Sequence, residues 1–203
     1  MWRGRKGSIP LTERPFIAQR CSEAFFAQFG GEPAYLSWAP GRINLIGGHT
    51  DYNGGLALPA AINRWVSVAL RPREDRAVHV VSLDKDGKLE GRLDAMPRPE
   101  ASWQQFVIGI LDIFAMEVEI PSGFDAVFMG NIPDGAGLSS SAALTVAWMN
   151  LLRAWSGKDI DDLRIAKMCQ SVEHTYLGMQ CGLLDQLSSL MAMPEHVMWI
   201  DFR

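Results

Sequence analysis

The chain has 203 residues, between one and two domains at about 150 residues each. Hydrophobic residues make up 48% and charged residues 21%, which excludes a disordered, collagenous or coiled-coil chain. Lys and Arg total 19 against 23 Asp and Glu, a net charge of −4 with no basic stripe, so nucleic acid is not an expected partner.

The basic start, Met1 to Lys6, is not followed by an apolar run, and no secretory signal is expected. Residues 11–30 predict an amphipathic helix with Phe16, Ala18, Cys21, Ala24, Phe25 and Phe29 on its buried side, ended by Gly30-Gly31. Tyr35–Trp38, Trp65–Leu70 and Val78–Leu83 predict strands, and Asp84-Lys85-Asp86-Gly87 is turn chemistry. The longest apolar-leaning run, Leu56–Leu70, contains Pro59, Asn63 and Arg64, so no membrane span is expected. Residues 94–101 predict a loop, and Trp103–Met116 a helix from the spacing of Phe106, Val107, Ile110, Leu111 and Phe114. Phe124–Met129 predicts a strand, followed by a buried helix over Ser139–Trp155, apolar on nearly every face. Asp161 is a candidate N-cap for a helix to Leu177, and Leu183–Met193 predicts a last helix after Gly178. Strands come early and helices late, which favours an α+β domain over a doubly wound one. Cys21, Cys169 and Cys181 are odd in number and form no CxxC pair, so neither disulfides nor zinc are expected and a cytoplasmic setting is.

Two polar stretches carry chemistry. In Pro133-Asp134-Gly135-Ala136-Gly137-Leu138-Ser139-Ser140-Ser141-Ala142-Ala143, glycines allow a tight backbone turn and hydroxyls follow at a helix start. Free N–H groups and the helix dipole favour an anion there, so strand, glycine loop and serine-rich helix start make a phosphate cradle. It is neither a Walker A loop nor a dinucleotide fingerprint. The competing explanation is an ordinary serine N-cap. The second stretch, Ala39 to Gly55, sets Arg42, Asn44, His49, Asp51 and Asn53 among five glycines, and such polar groups can converge on a hydroxyl-rich ligand. Its competing explanation is a solvated turn.

Pro40–Gly55 resembles the galactokinase signature, and Pro133–Ala143 resembles the ATP-binding motif of the wider GHMP kinase superfamily. Val172-Glu173-His174-Thr175, Gly178–Gln186 and Ile200–Arg203 also resemble galactokinases. The resemblance implies a GHMP-kinase N-terminal domain over 1–203, with an N-terminal helix region at 1–30 and a sugar- and ATP-binding core at 31–203. Its mostly antiparallel sheet packs against helices, and the family's C-terminal domain is absent. It implies transfer of the γ-phosphoryl of ATP to the anomeric hydroxyl of galactose, with Mg²⁺. By motif position Asp185 is the catalytic aspartate and Arg42 its charge-steadying partner. Gly135, Ala136, Gly137, Leu138, Ser139, Ser140 and Ser141 form the phosphate loop. Ser141 and Glu173 are the magnesium ligands. Gly48, His49, Thr50, Asp51, Gly182 and Asp185 face the sugar, and Trp103 matches a tryptophan near the adenine. A hydroxyl and a carboxylate suit a hard cation that keeps waters and binds phosphates.

The chain departs from the family in two respects. Gly48 stands where the signature carries glutamate, so a related sugar such as N-acetylgalactosamine or arabinose is the alternative substrate. The chain is also shorter than galactokinases, which implies a fragment lacking its partner C-terminal domain. A non-catalytic galactose- and ATP-binding sensor is the alternative from another class.

Overall fold

The computed structural model describes residues 15–203. The basic start and residues 11–14 of the predicted first helix lie outside them. Helix α1 spans Phe16–Phe29 and buries Ile17, Ala18, Cys21 and Phe25. This corrects one expectation: Phe16 is 73% exposed and Ile17 is buried instead. The contact line runs through Ile17, Cys21 and Phe25 at four-residue steps, which turns Phe16 to solvent.

Strands β1 (Tyr35–Ile46), β2 (Leu56–Pro72), β3 (Ala77–Ser82), β4 (Lys88–Arg92) and β5 (Phe124–Gly130) form a sheet in the order β1-β2-β5-β3-β4. All pairs are antiparallel except β3 with β5. A short β6 (Ile200–Asp201) pairs with the start of β2 at Leu56 and Ala57. Two predicted strands prove far longer than their local patterns. β1 continues through Pro40-Gly41 because β2 pairs with it along its length, with register shifts at Pro40/Arg42 and Asn44/Ile46 that accommodate the irregular residues. Strand β4 carries only Leu89 inward among Lys, Glu, Gly and Arg, which explains why no strand is legible there.

Helices α2 (Ser102–Ala115), α3 (Ser140–Ser156) and α4 (Asp162–Leu177) cover one sheet face, and α1 covers the other. Strand β5 therefore has to be apolar on both sides. Phe124, Ala126 and Phe128 meet the three helices, while Val127 and Met129 meet α1. Asp161 caps α4 as expected, accepting from Arg164 N–H at 2.9 Å, and Gly178 ends it in the left-handed conformation. Helix α5 (Leu184–Met191) lies against β1, with Ser189 Oγ donating to Pro40 O at 2.7 Å. The architecture is α+β with a mostly antiparallel sheet. Among the described residues no helix is long and apolar enough to cross a membrane.

Candidate active site

Strand β1, the glycine loop before α3 and the start of α5 meet at one end of the sheet. The loop has positive φ at Gly135, Gly137 and Ser139, every second residue, so its backbone folds into a concave run of the kind that binds anions. It docks on β1 through Arg42 N–H, which donates to Leu138 O at 3.1 Å. Gly41 permits this approach, since a Cβ there would lie 2.8 Å from Leu138 O.

Arg42 joins three elements. Its Nε and Nη2 donate to Asp185 Oδ1 at 2.8 and 2.5 Å, and its Nη1 donates to Gly137 O at 2.7 Å. Ser139 Oγ donates to Asp185 Oδ2 at 2.5 Å. Ser139 therefore does not cap its own helix: no side-chain bond closes the N-terminus of α3. The N–H groups there remain free for a ligand. This excludes the ordinary serine-cap explanation of the loop. Asp185 sits in the first turn of α5, where the dipole also favours its charge.

Glu173 lies on the inner face of α4 and is only 3% exposed. Burial pushes its carboxyl pKa upward, with the nearby Asp185 charge adding to the effect. Cys181 Sγ donates to Oε2 at 3.3 Å, while Oε1 is buried without a partner. Ser141 and Gln186 face the carboxylate and oppose the shift. The Cys181 thiol is pushed up to about 12, by burial first and by Glu173 next, and stays protonated. A buried acidic oxygen lacking a partner beside a hydroxyl fits a hard cation. Among the described residues no cluster of three or more His, Cys, Asp or Glu forms a complete cage. A hard cation that shared its shell with phosphate oxygens and waters would need no such cage.

In the 47–55 turn the expected sugar residues divide. Asp51 Oδ2 accepts from Leu184 N–H at 3.2 Å and so ties the turn to the start of α5, beside Asp185. Gly182 packs against that carboxylate, leaving no room for a Cβ. Thr50 faces inward, its hydroxyl 2.8 Å from Gly47 O and 2.9 Å from Leu56 O, and closes the turn. His49 is exposed, with Nδ1 bonded to Tyr52 Oη, and Gly48 is exposed with open space around it. An open groove of about 610 Å³ is lined by Asp51, Tyr52, His174, Gln180, Cys181 and Gly182 among others. Trp103 does not join the loop. It is 5% exposed, its indole N–H donates to Asp86 O at 3.1 Å, and its ring packs on Phe128. The turn it supports meets the glycine loop through the exposed Lys85–Asp134 ion pair. The sequence reading grouped Asn44 with the other polar residues of its stretch but gave it no role of its own; its Oδ1 is buried without a partner two residues beyond Arg42 on the same strand face. It also assigned no role to Cys181 and Gln186 around Glu173.

Gly182→Ala should cost about 1–3 kcal/mol of stability through overpacking. It should also displace Asp51 from its bond to Leu184 N–H. A thermal melt together with amide hydrogen exchange at Leu184 checks both, and an unchanged melting temperature would show that the contact yields freely.

The glycine loop, its Ser139 bonded to Asp185 of α5, lies inside a segment that a known family matches. Residues 105–192 match the GHMP kinases N terminal domain and residues 23–72 the galactokinase galactose-binding signature. The chain carries the N-terminal domain of the GHMP kinase superfamily. Within it, the match is to the N-terminal portion of galactokinases. The galactokinase of Roseiflexus sp. (strain RS-1) is 38% identical over 181 residues, 89% of this chain and 46% of that protein. The structure of Lactococcus lactis galactokinase complexed with galactose aligns with a TM-score of 0.81 at 32% identity, over 91% of this chain and 49% of that one. Methanococcus jannaschii mevalonate kinase, at 19% identity and TM-score 0.71 over 85% of this chain and 54% of that one, shares the fold. The chain spans about half the length of the galactokinases it matches.

Proposed function

We propose that this chain is the sugar- and nucleotide-binding half of an ATP-dependent galactose kinase. The observation that carries the reading is the junction of Arg42, Ser139 and Asp185, which sets the phosphate loop against the sugar turn. The N–H groups of the loop and of the α3 start receive the phosphates of ATP. Asp51, His49 and the groove beside Gly182 receive the sugar. Asp185 Oδ1 is filled by two Arg42 donors, whereas Oδ2 carries one hydroxyl and keeps a lone pair open for the anomeric hydroxyl of the sugar. The sugar oxygen bonds to the γ-phosphorus, the bond to the β-phosphate oxygen breaks, and ADP leaves. Arg42 holds Asp185 in place and balances its charge as the hydroxyl proton is drawn toward Oδ2. Glu173 and Ser141 would hold Mg²⁺, which supplies charge neutralisation on the phosphates.

The exposed apolar residues Leu45, Ile46, Tyr52, Val197 and Trp199 gather around the start of β2, since Ile46 pairs with Leu58 and Met198 N–H donates to Pro59 O. This supports a further domain closing the cleft there, and the 203-residue chain by itself should turn over slowly. Incubating the complete protein with ATP and a sugar panel tests the function. Phosphorylation of galactose in preference to N-acetylgalactosamine and arabinose is expected, while nucleotide and sugar binding without transfer would favour the sensor reading.

Gly48 is the specific observation behind the second reading, a related sugar. The space around it accepts a side chain, so Gly48→Glu should fold normally. Restoring a charged acceptor to the sugar turn should tighten galactose binding roughly tenfold, the weight of about 1.5 kcal/mol for one charge-assisted hydrogen bond. An unchanged dissociation constant by calorimetry would remove Gly48 from the specificity argument.

A further inference from the structure

Glu173 is held by a chain of weak donors that the proposed chemistry does not by itself require. Gln186, fully buried on α5, points its Nε2 at Cys181 Sγ, 3.7 Å away. Cys181 Sγ in turn lies 3.3 Å from Glu173 Oε2. The order of donors is fixed by chemistry: the amide N–H can only donate to the sulfur, so the S–H is left to donate to the carboxylate. The backbone of Cys181 is fastened to α4 as well. Gln170 Nε2 donates to Cys181 O at 2.9 Å, and His174 Nε2 lies 2.8 Å from the same oxygen. The thiol therefore cannot drift from Glu173. One carboxylate oxygen is occupied and the other, Oε1, is left buried and bare. Gln186 pays a penalty for its part, since its Oε1 is also buried without a partner. A glutamine kept only for packing would shed that penalty by becoming apolar.

We propose that Cys181 and Gln186 are positioning residues, which occupy Glu173 Oε2 so that Oε1 is presented to the divalent cation of the nucleotide. This rests on the reading of Glu173 as a cation ligand. Groups of this kind, behind a ligand, commonly set metal affinity by 10- to 100-fold. A thiol is a weak donor, so an effect of about tenfold is expected here.

The test uses Mn²⁺ as a paramagnetic probe, titrated into the complete protein saturated with a non-hydrolysable ATP analogue, with free Mn²⁺ read by electron paramagnetic resonance. Cys181→Ala should raise the Mn²⁺ dissociation constant about tenfold. Cys181→Ser, which keeps a donor, should stay within about threefold of the parent protein. Cys181→Val, of similar bulk without a donor, serves the same comparison should the alanine form melt early. Affinity for the analogue without cation should be the same in all three, which a general loosening of the site would not leave untouched. Mn²⁺ binding unchanged in both Cys181→Ala and Cys181→Val overturns the proposal. Glu173→Gln separates the two levels. If it abolishes Mn²⁺ binding while the Cys181 variants do not weaken it, only the positioning role falls. If it leaves Mn²⁺ binding intact, the cation-ligand reading falls and takes the positioning role with it.

Discussion

Asp185→Asn is expected to lower kcat of the complete protein by roughly 10²–10⁴-fold while leaving the KM for sugar and ATP within a few-fold. The asparagine can keep the native contacts. Its carbonyl oxygen can accept from Arg42, and its amide can donate to Ser139 Oγ once that hydroxyl rotates, a freedom hydroxyls have. The geometry survives and the charge does not. The substitution therefore removes the negative charge beside Oδ2 and the counter-charge of Arg42 without dismantling the cleft. Steady-state kinetics with a thermal melt decide the matter, and a variant with the full rate would strip Asp185 of its assignment. A solvent deuterium isotope effect on kcat of the parent protein then separates a base, which has a proton in flight, from an electrostatic partner, which does not.

Gly41→Ala is expected to raise the KM for ATP roughly tenfold and to lower stability by about 1–3 kcal/mol. A methyl group there would sit 2.8 Å from Leu138 O, 3.2 Å from Ile132 Cδ1 and 3.3 Å from Ile62 Cδ1. The two side chains can turn aside, but the carbonyl belongs to the glycine loop and accepts from Arg42 N–H. Relief comes only by moving the loop off β1, which also strains the Arg42 bond to Gly137 O. Nucleotide titration and a thermal melt read the two effects separately. If ATP affinity is untouched while stability falls, the loop's seat on β1 matters for folding alone.

Much of this site is legible in the amino-acid sequence because its parts are local. The glycine loop announces itself, since Gly135 and Gly137 adopt positive φ that other residues avoid. The helices over 103–116, 139–155 and 161–177 are evident from period and caps, each within a residue or two of its observed bounds. Strand lengths are another matter. The 39–46 stretch contains Pro40 and Gly41 and reads as a turn, yet it is a strand because β2 supplies its hydrogen-bond partners. No local pattern can report partners that lie 12 to 27 residues away.

The likeness of its short motifs to a known family named the candidate site residues, and the sequence alone was sufficient to predict an α+β domain with a glycine loop at a helix start. Residue type and short spacing are enough for that, since glycine conformation, helix capping and hydrophobic period are properties of a few neighbouring residues. Only the tertiary structure decided how those residues are used. It brought Arg42 to Asp185 across 143 positions and turned Ser139 from a helix cap into a bond to that aspartate. It buried Glu173 with one oxygen bare and put Trp103 in the core with its ring on Phe128. Burial and partnership depend on what packs against a side chain from distant parts of the chain, and the fold alone supplies that.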